Sequence, residues 1–259
     1  MLSILFFGLL VSLIINMLMF LIAFRWQSDK LTDISYALSF LALDFLGIIV
    51  SKSHNIFSVV LFLLPGVWSV RLGGFLLNRV IKAGKDRRFD GIRENFKRFA
   101  NFWFGQAVTA WVLMIPVLIM QTRTGHFSVI GVIGLVMWAG GFLYEALADY
   151  QKYVFKQNPA NKGKWIAAGL WGYSRHPNYL GEITVWLGIY IYCFQGLDSL
   201  EKIIGLISPV FIYVLLRYVS GVPVLEKSAD KRWGNSDAYK SYKQKTGLLL
   251  PRPGAAQTK

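Results

Sequence analysis

Glu145, Asp149, Lys152 and Lys156 stand four, three and four residues apart, so a helix carries all four along one stripe, carboxylates at one end and ammonium groups at the other. Such a stripe can hold opposite ends of a nucleotide, or it is an ordinary ladder of helical salt bridges capped by snorkelling lysines. The densest polar stretch is Gly169-Leu-Trp-Gly-Tyr-Ser-Arg-His-Pro-Asn-Tyr-Leu-Gly-Glu182. Pro177 suits the first position of a helix, which then opens with unpaired N–H groups and a positive dipole end that attracts anions. Asn178 and Glu182 share one face of that helix, continued by Val185, Trp186 and Ile189. The same residues also read as a plain interface, with Arg175 and His176 as boundary cations, Tyr179 and Trp186 as belt aromatics and Glu182 as the partner of a nearby cation. A lone histidine such as His176 is more often structural than catalytic. A third group joins Arg217, Glu226, Lys231-Arg232-Trp233-Gly234, Tyr239 and Tyr242. Arginine near a helix end commonly snorkels, which is the simplest role for Arg217.

The elements that must position these groups are membrane helices. Hydrophobic residues make up 54% of the 259 residues and charged residues 16%, and the mean hydropathy is +0.44, which leaves too little polar surface for a soluble globule. A bilayer core takes about 20 apolar residues as helix. Residues 1–24, 34–50, 56 to about 77, 102–120, 129 to about 147, 179–194 and 203 to about 219 are such runs. The first lacks a basic leader and a cleavage site and reads as a retained helix. The composition therefore predicts an all-α integral membrane protein, a bundle of about seven transmembrane helices.

The net charge of +14 is unevenly spread. Arg79, Lys82, Lys85, Arg87, Arg88, Arg93, Lys97 and Arg98 follow the third span. Lys152, Lys156, Lys162, Lys164 and Arg175 follow the fifth, and Lys227 to Lys259 the seventh, while the alternate loops hold Lys52, Arg123 and Lys202. Basic loops stay in the cytoplasm, so the amino terminus is expected outside and the carboxyl terminus inside. The charge then needs no nucleic-acid partner to explain it; the expected partners are membrane lipids and a lipid substrate. One transmembrane domain, 1–259, is expected, with 1–101 on the substrate side and 102–259 binding the cofactor. The tail from Gly247, with Pro251, Pro253 and Gly254, is expected to fray. Single Cys193 excludes an intrachain disulfide and a multi-cysteine zinc site, no metal site is expected, and no P-loop, Gly-rich dinucleotide fingerprint or Gly-x-Ser-x-Gly elbow occurs.

The blocks Asp149 to Pro159 and Gly169 to Glu182, with Glu226, Tyr239 and Tyr242, resemble the steroid 5-alpha-reductase and sterol reductase superfamily. The nearest likeness is to its bacterial branch, the domain of unknown function 1295 type, whose amino-terminal signature resembles Asp33, Trp68 to Arg71, and Arg79 through Asp86-Arg87-Arg88. The resemblance implies an NADPH-dependent reductase of the bacterial inner membrane that delivers hydride to an activated C=C bond of a lipid or steroid-like substrate. It also implies cofactor contacts at Asp149, Lys156, Asn178, Glu182, Arg217 and Tyr239, with Arg175 and Tyr179 added. The Gln-Glu pair by which the steroid enzymes contact a substrate carbonyl has no match here, and Trp68 stands where they carry Tyr.

Hydride arrival at an enone drives charge onto the carbonyl oxygen, where an aimed hydrogen bond contributes on the order of 3 kcal/mol. Candidate donors are Tyr36, Asp33, Asp44, His54 and Arg71, polar groups in or beside the amino-terminal helices. Two other readings compete. The Arg-His-Pro-x-Tyr block with its Glu and Tyr-x-x-Tyr tail is also similar to membrane methyltransferases of the isoprenylcysteine carboxyl type, which use S-adenosylmethionine. A non-enzymatic lipid-binding relative would keep the fold without the chemistry.

Overall fold

In hydrocarbon every backbone N–H and C=O must find its partner inside the chain, and a long apolar run does so as a helix. The computed structural model describes residues 1–51, 54–83 and 89–252, the side chains of 79–83 excepted. Lys52, the run Lys85 to Arg88 with Asp86, and the tail beyond Arg252 with Pro253, Gly254 and Lys259 lie outside the described residues. The helices are α1 (Leu2–Arg25), α2 (Leu31–Ile49), α3 (Ile56–Ala83), α4 (Phe96–Gln121), α5 (Val129–Gln157), α6 (Pro177–Cys193), α7 (Ser199–Gly205), α8 (Ile207–Val214), α9 (Val222–Trp233) and α10 (Asp237–Lys245). A π-helical turn, Leu215–Val219, joins α8 to α9. Among the described residues there is no strand, only an isolated parallel bridge between Ser174 and Gly247.

The protein is thus an all-α integral membrane protein. Six stretches are long and apolar enough to cross a membrane, the last being Ser199–Trp233. They coincide with six of the seven expected spans. The other, residues 179–194, falls within α6, whose 17 residues stand at the short end of the spanning range. Pro65 and Pro116 sit inside α3 and α4.

The chain divides into two compact units, Met1–Gly134 with Ile189–Ser208, and Leu135–Gly188 with Pro209–Lys259. In the first, α4 is the axis: residues 112–121 are all buried, against α1, α2 and α7. A polar seam ties these helices. Asn16 Nδ2 donates to Ser39 Oγ at 2.8 Å, and Gln106 Nε2 donates to Asn16 Oδ1 at 2.9 Å and to Ser35 Oγ at 2.7 Å. Such bonds act as glue where apolar contact with lipid is no worse than contact with a helix. Phe20, Ala23, Phe89, Phe99 and Trp103 close one end of the unit, beside a buried Arg93–Asp29 pair at 2.7 Å.

In the second unit α5 and α6 cross closely, and the loop between them meets α9, α10 and the segment after α10. From Gly247 to Arg252 that segment is pinned, contrary to the fraying expected from its composition. Gly247 N donates to Tyr173 O at 3.1 Å, Arg175 N to Gly247 O at 2.8 Å and Arg252 N to Tyr173 O at 3.1 Å, while Ser174 Oγ donates to Leu249 O at 2.7 Å. Proline and glycine content speaks only of local stiffness; these partners come from a loop far back in the chain.

Candidate functional site

The site begins where α5 and α6 touch. A Cβ on Gly141 would stand 2.8 Å from Val185 N and 2.9 Å from Gly181 O, and one on Gly181 would stand 2.7 Å from Glu145 N. Only glycine permits that backbone approach. Asp149, two turns past Gly141, is thereby set opposite Asn178, one turn before Gly181, and Asn178 Nδ2 donates to Asp149 Oδ1 at 3.2 Å. Asp149 and Glu145 are both buried, and Asn178 Oδ1 is buried with no hydrogen-bond partner among the described residues.

Beyond the crossing the chain turns back along α5. Gly169, at φ +60°, lies so close to Gln151 that a Cβ would stand 2.6 Å from its Oε1, and Leu170 N donates to that oxygen at 2.9 Å. Trp171 Nε1 donates to Ala148 O at 2.9 Å. The loop hung in this way roofs a cavity of about 210 Å³. Trp165, Trp171, Trp233, Tyr239 and Tyr242 form its walls, Lys152, Lys156, Lys164 and Arg232 its basic lining, and Arg175, His176 and Glu226 its floor. The walls brace one another: Trp165 meets Tyr239 at 5.2 Å and Trp233 at 5.9 Å between ring centroids. Three of the polar tips are spent elsewhere, Trp171 Nε1 on Ala148 O, Trp233 Nε1 on Gly163 O at 2.6 Å and Tyr242 OH on Trp171 O at 2.8 Å, so those rings offer apolar faces.

Glu226 organises the floor. Its Oε2 meets Arg175 at 2.9 Å and Lys243 at 3.3 Å, its Oε1 meets His176 Nε2 at 3.0 Å, and Lys243 also pairs with Asp230 at 2.7 Å. Burial pushes the Tyr242 and Tyr239 phenols up from their usual range, so both stay neutral donors. Burial also pulls His176 below its ordinary value, aided by the Lys152 and Arg175 charges and opposed by the Glu226 contact. Arg175 Nε and His176 Nδ1 are buried without a partner among the described residues.

Of the residues named from sequence, Lys156, Arg175 and Tyr239 line one cavity, and Asp149 pairs with Asn178. Tyr179 stacks on His176 at 5.6 Å and 9°. Glu182 is half-buried on α6 and Arg217 lies in the π-helical turn, its guanidinium 4.8 Å over Tyr218; neither lines the cavity. The candidate donors all belong to the other unit. Asp33 and Tyr36 are half-buried on α2, Arg71 half-buried on α3 and His54 exposed before α3. Asp44 is wholly buried, with neither oxygen partnered among the described residues. Sequence reasoning missed Trp165, Trp233, Lys164 and Arg232 as a set. The available signal was two tryptophans, each flanked by a basic residue in polar segments, where a lipid-facing belt has no use for them.

A stretch of 53 residues, 20% of this chain and 18% of the relative, is 42% identical to "Probable O-methyltransferase ustE" of Ustilaginoidea virens. A stretch of 95 residues, 33% of this chain and 24% of the relative, is 26% identical to "Delta(14)-sterol reductase" of Arabidopsis thaliana. An uncharacterized protein of Schizosaccharomyces pombe is 25% identical over 138 residues, 46% of this chain and 38% of that protein. The chain thus spans well under half the length of each of these relatives. No solved structure matches. The sequence profile of a protein family of unknown function, DUF1295, matches residues 19–246. That match takes in the α5–α6 crossing, the cavity floor and most of both units, and with the distant sterol reductase likeness it settles descent: the chain belongs to the DUF1295 family, within the steroid 5-alpha-reductase and sterol reductase group.

Proposed function

We propose that this protein is a membrane-embedded, NADPH-dependent reductase of the bacterial inner membrane that acts on an activated C=C bond of a lipid or steroid-like substrate. One observation carries the reading: a basic, aromatic-walled cavity whose floor, with the adjoining α5–α6 crossing, leaves Arg175 Nε, His176 Nδ1 and Asn178 Oδ1 buried with no partner among the described residues. Folded proteins rarely leave such atoms unpaired, so a polar ligand is their natural partner. About 210 Å³ is room for one nucleoside end rather than a whole dinucleotide. Lys156 and Arg175 suit phosphate, the faces of Trp165 and Tyr239 suit a purine, and Asp149, Asn178 and Glu182 suit ribose hydroxyls and a carboxamide. Tyr179 holds the His176 ring, and Arg217 supplies a further cation. When bound, the cofactor supplies a hydride. The chain's share is to bind and orient, to exclude water, and to polarise the substrate oxygen, for which Asp33, Tyr36, Asp44, His54 and Arg71 are the groups to vary.

A methyltransferase using S-adenosylmethionine is the second reading, favoured by the 42% identical stretch. The charge of the cavity supports the first reading instead. Lys152, Lys156, Lys164, Arg175 and Arg232 line the cavity against a single carboxylate, Glu226. That balance suits a polyanion and repels a sulfonium. Titrating the purified protein in detergent should show NADPH binding about tenfold or more tightly than NADH, because a 2′-phosphate adds a charge-assisted contact. Asn178→Ala should weaken NADPH binding and, by taking a donor from buried Asp149, lower the cofactor-free melting temperature modestly as well. Equal affinity for the two nicotinamides contradicts the reading, and tight S-adenosylmethionine binding replaces it with the second.

A further inference from the structure

His176 is 4% exposed, yet among the described residues only one of its ring nitrogens has a partner. Nε2 lies 3.0 Å from Glu226 Oε1, and the other oxygen of that carboxylate meets Arg175 at 2.9 Å and Lys243 at 3.3 Å. A carboxylate shared by two cations is ionised and only accepts, so the ring hydrogen is on Nε2 and Nδ1 holds a lone pair. Tyr179 stacks parallel to the ring at 9°, and a flip that spent the lone pair elsewhere would break the Nε2 contact with Glu226. Nδ1 has no hydrogen-bond partner among the described residues, and His176 lines the cavity. The charged groups acting on the ring are Glu226, Lys152 and Arg175. Burial is the strongest influence; with the two cations it outweighs the carboxylate and keeps the ring neutral at pH 7. A neutral, buried acceptor faces a cavity in which the described residues supply it no donor.

We propose that His176 is a ligand-binding residue whose Nδ1 accepts a hydrogen bond from a hydroxyl or amino hydrogen of the dinucleotide in this cavity. The proposal rests on the reading of the cavity as a seat for NADPH. Glu226 is then a positioning residue, which selects the tautomer and aims the ring. The rival role is purely structural, with His176 serving only to satisfy Glu226.

Two substitutions separate the roles, because each keeps one ring nitrogen's function. His176→Asn places an amide oxygen near the site of Nδ1 but falls short of Glu226. His176→Gln reaches Glu226 with its amide nitrogen and leaves nothing at Nδ1. NADPH affinity and cofactor-free melting temperature are measured for both in detergent. Ligand binding through Nδ1 predicts that His176→Gln melts near wild type and binds NADPH about tenfold more weakly, whereas His176→Asn melts lower but binds within about threefold of wild type. The reverse order of affinities, or wild-type affinity in both, overturns the proposal and leaves the NADPH reading standing. Wild-type protein that does not bind NADPH overturns both. A pH series on wild type keeps the test decisive if the Asn variant fails to fold. Protonation turns Nδ1 from acceptor to donor, so NADPH affinity falls as pH drops through the ring's folded value, which burial holds below the ordinary value of about 6.5. His176→Gln, lacking the titrating ring, should show a shallower dependence, and equal slopes count against the proposal.

Discussion

Three side chains within four residues, Arg175, His176 and Asn178, each keep a buried polar atom in reserve, and the cost of holding them that way is visible in pH terms. The unfolded chain protonates His176 near its ordinary value of about 6.5, whereas the folded chain resists until lower pH because burial disfavours the charged ring. The unfolded state therefore binds more protons in that window, and stability must fall as pH drops. It is fully present above about 6.5 and is lost as pH falls through the lower folded value. Melting curves of the cofactor-free protein should thus shift downward between about pH 7.5 and 5.5. His176→Gln, which cannot titrate, should shift less. A wild-type profile as flat as that of the variant would mean that the ring is more open to water than its surroundings indicate.

The α5–α6 crossing brings Asp149 to Asn178, and it depends on two glycines with no side chain of their own to contribute. Gly181→Ala would press a methyl group to within 2.7 Å of Glu145 N, and since backbone cannot step aside the helices must part. Such overpacking costs about 1–3 kcal/mol, and the Asn178–Asp149 contact should loosen with it, lowering NADPH affinity. Gly140→Ala is the control: nothing lies within 4 Å of its added methyl, and alanine favours helix over glycine by about 1 kcal/mol. The expected result is a lower melting temperature for Gly181→Ala and an unchanged or higher one for Gly140→Ala. Equal melting temperatures and affinities would show that the crossing tolerates separation and does not set the site.

The distribution of the 28 Lys and Arg residues predicts an orientation in the bilayer. Loops rich in these residues resist export. A reporter fused after Gly125 should therefore be exported, while fusions after Gly91, after Gly163 or at the carboxyl terminus should stay in the cytoplasm. Alkaline phosphatase and fluorescent-protein fusions read the two outcomes directly. An exported carboxyl terminus would place the basic cavity lining on the wrong side for a cytoplasmic dinucleotide and would remove the proposed cofactor with it.

The presence of the helices and their polar stripes could be read from the chain because each is a local property, whereas limits such as Phe96, Gln157 and the break between α7 and α8 could not. A run of apolar residues as long as a bilayer is thick has one low-energy conformation there, and Pro177 can begin a helix but not continue one. The stripe from Glu145 to Lys156 and the shared face of Asn178 and Glu182 needed only the helical period. Convergence was not local. Trp165 and Trp233 come from a loop and from the end of α9, and nothing in either segment announces the other. The segment after α10, loose by composition, is held by Tyr173, Ser174 and Arg175. His176 looked structural because half of its role is: Nε2 serves Glu226. Only packing in three dimensions shows that Nδ1 is left over, since whether a buried atom has a partner depends on every segment folded around it.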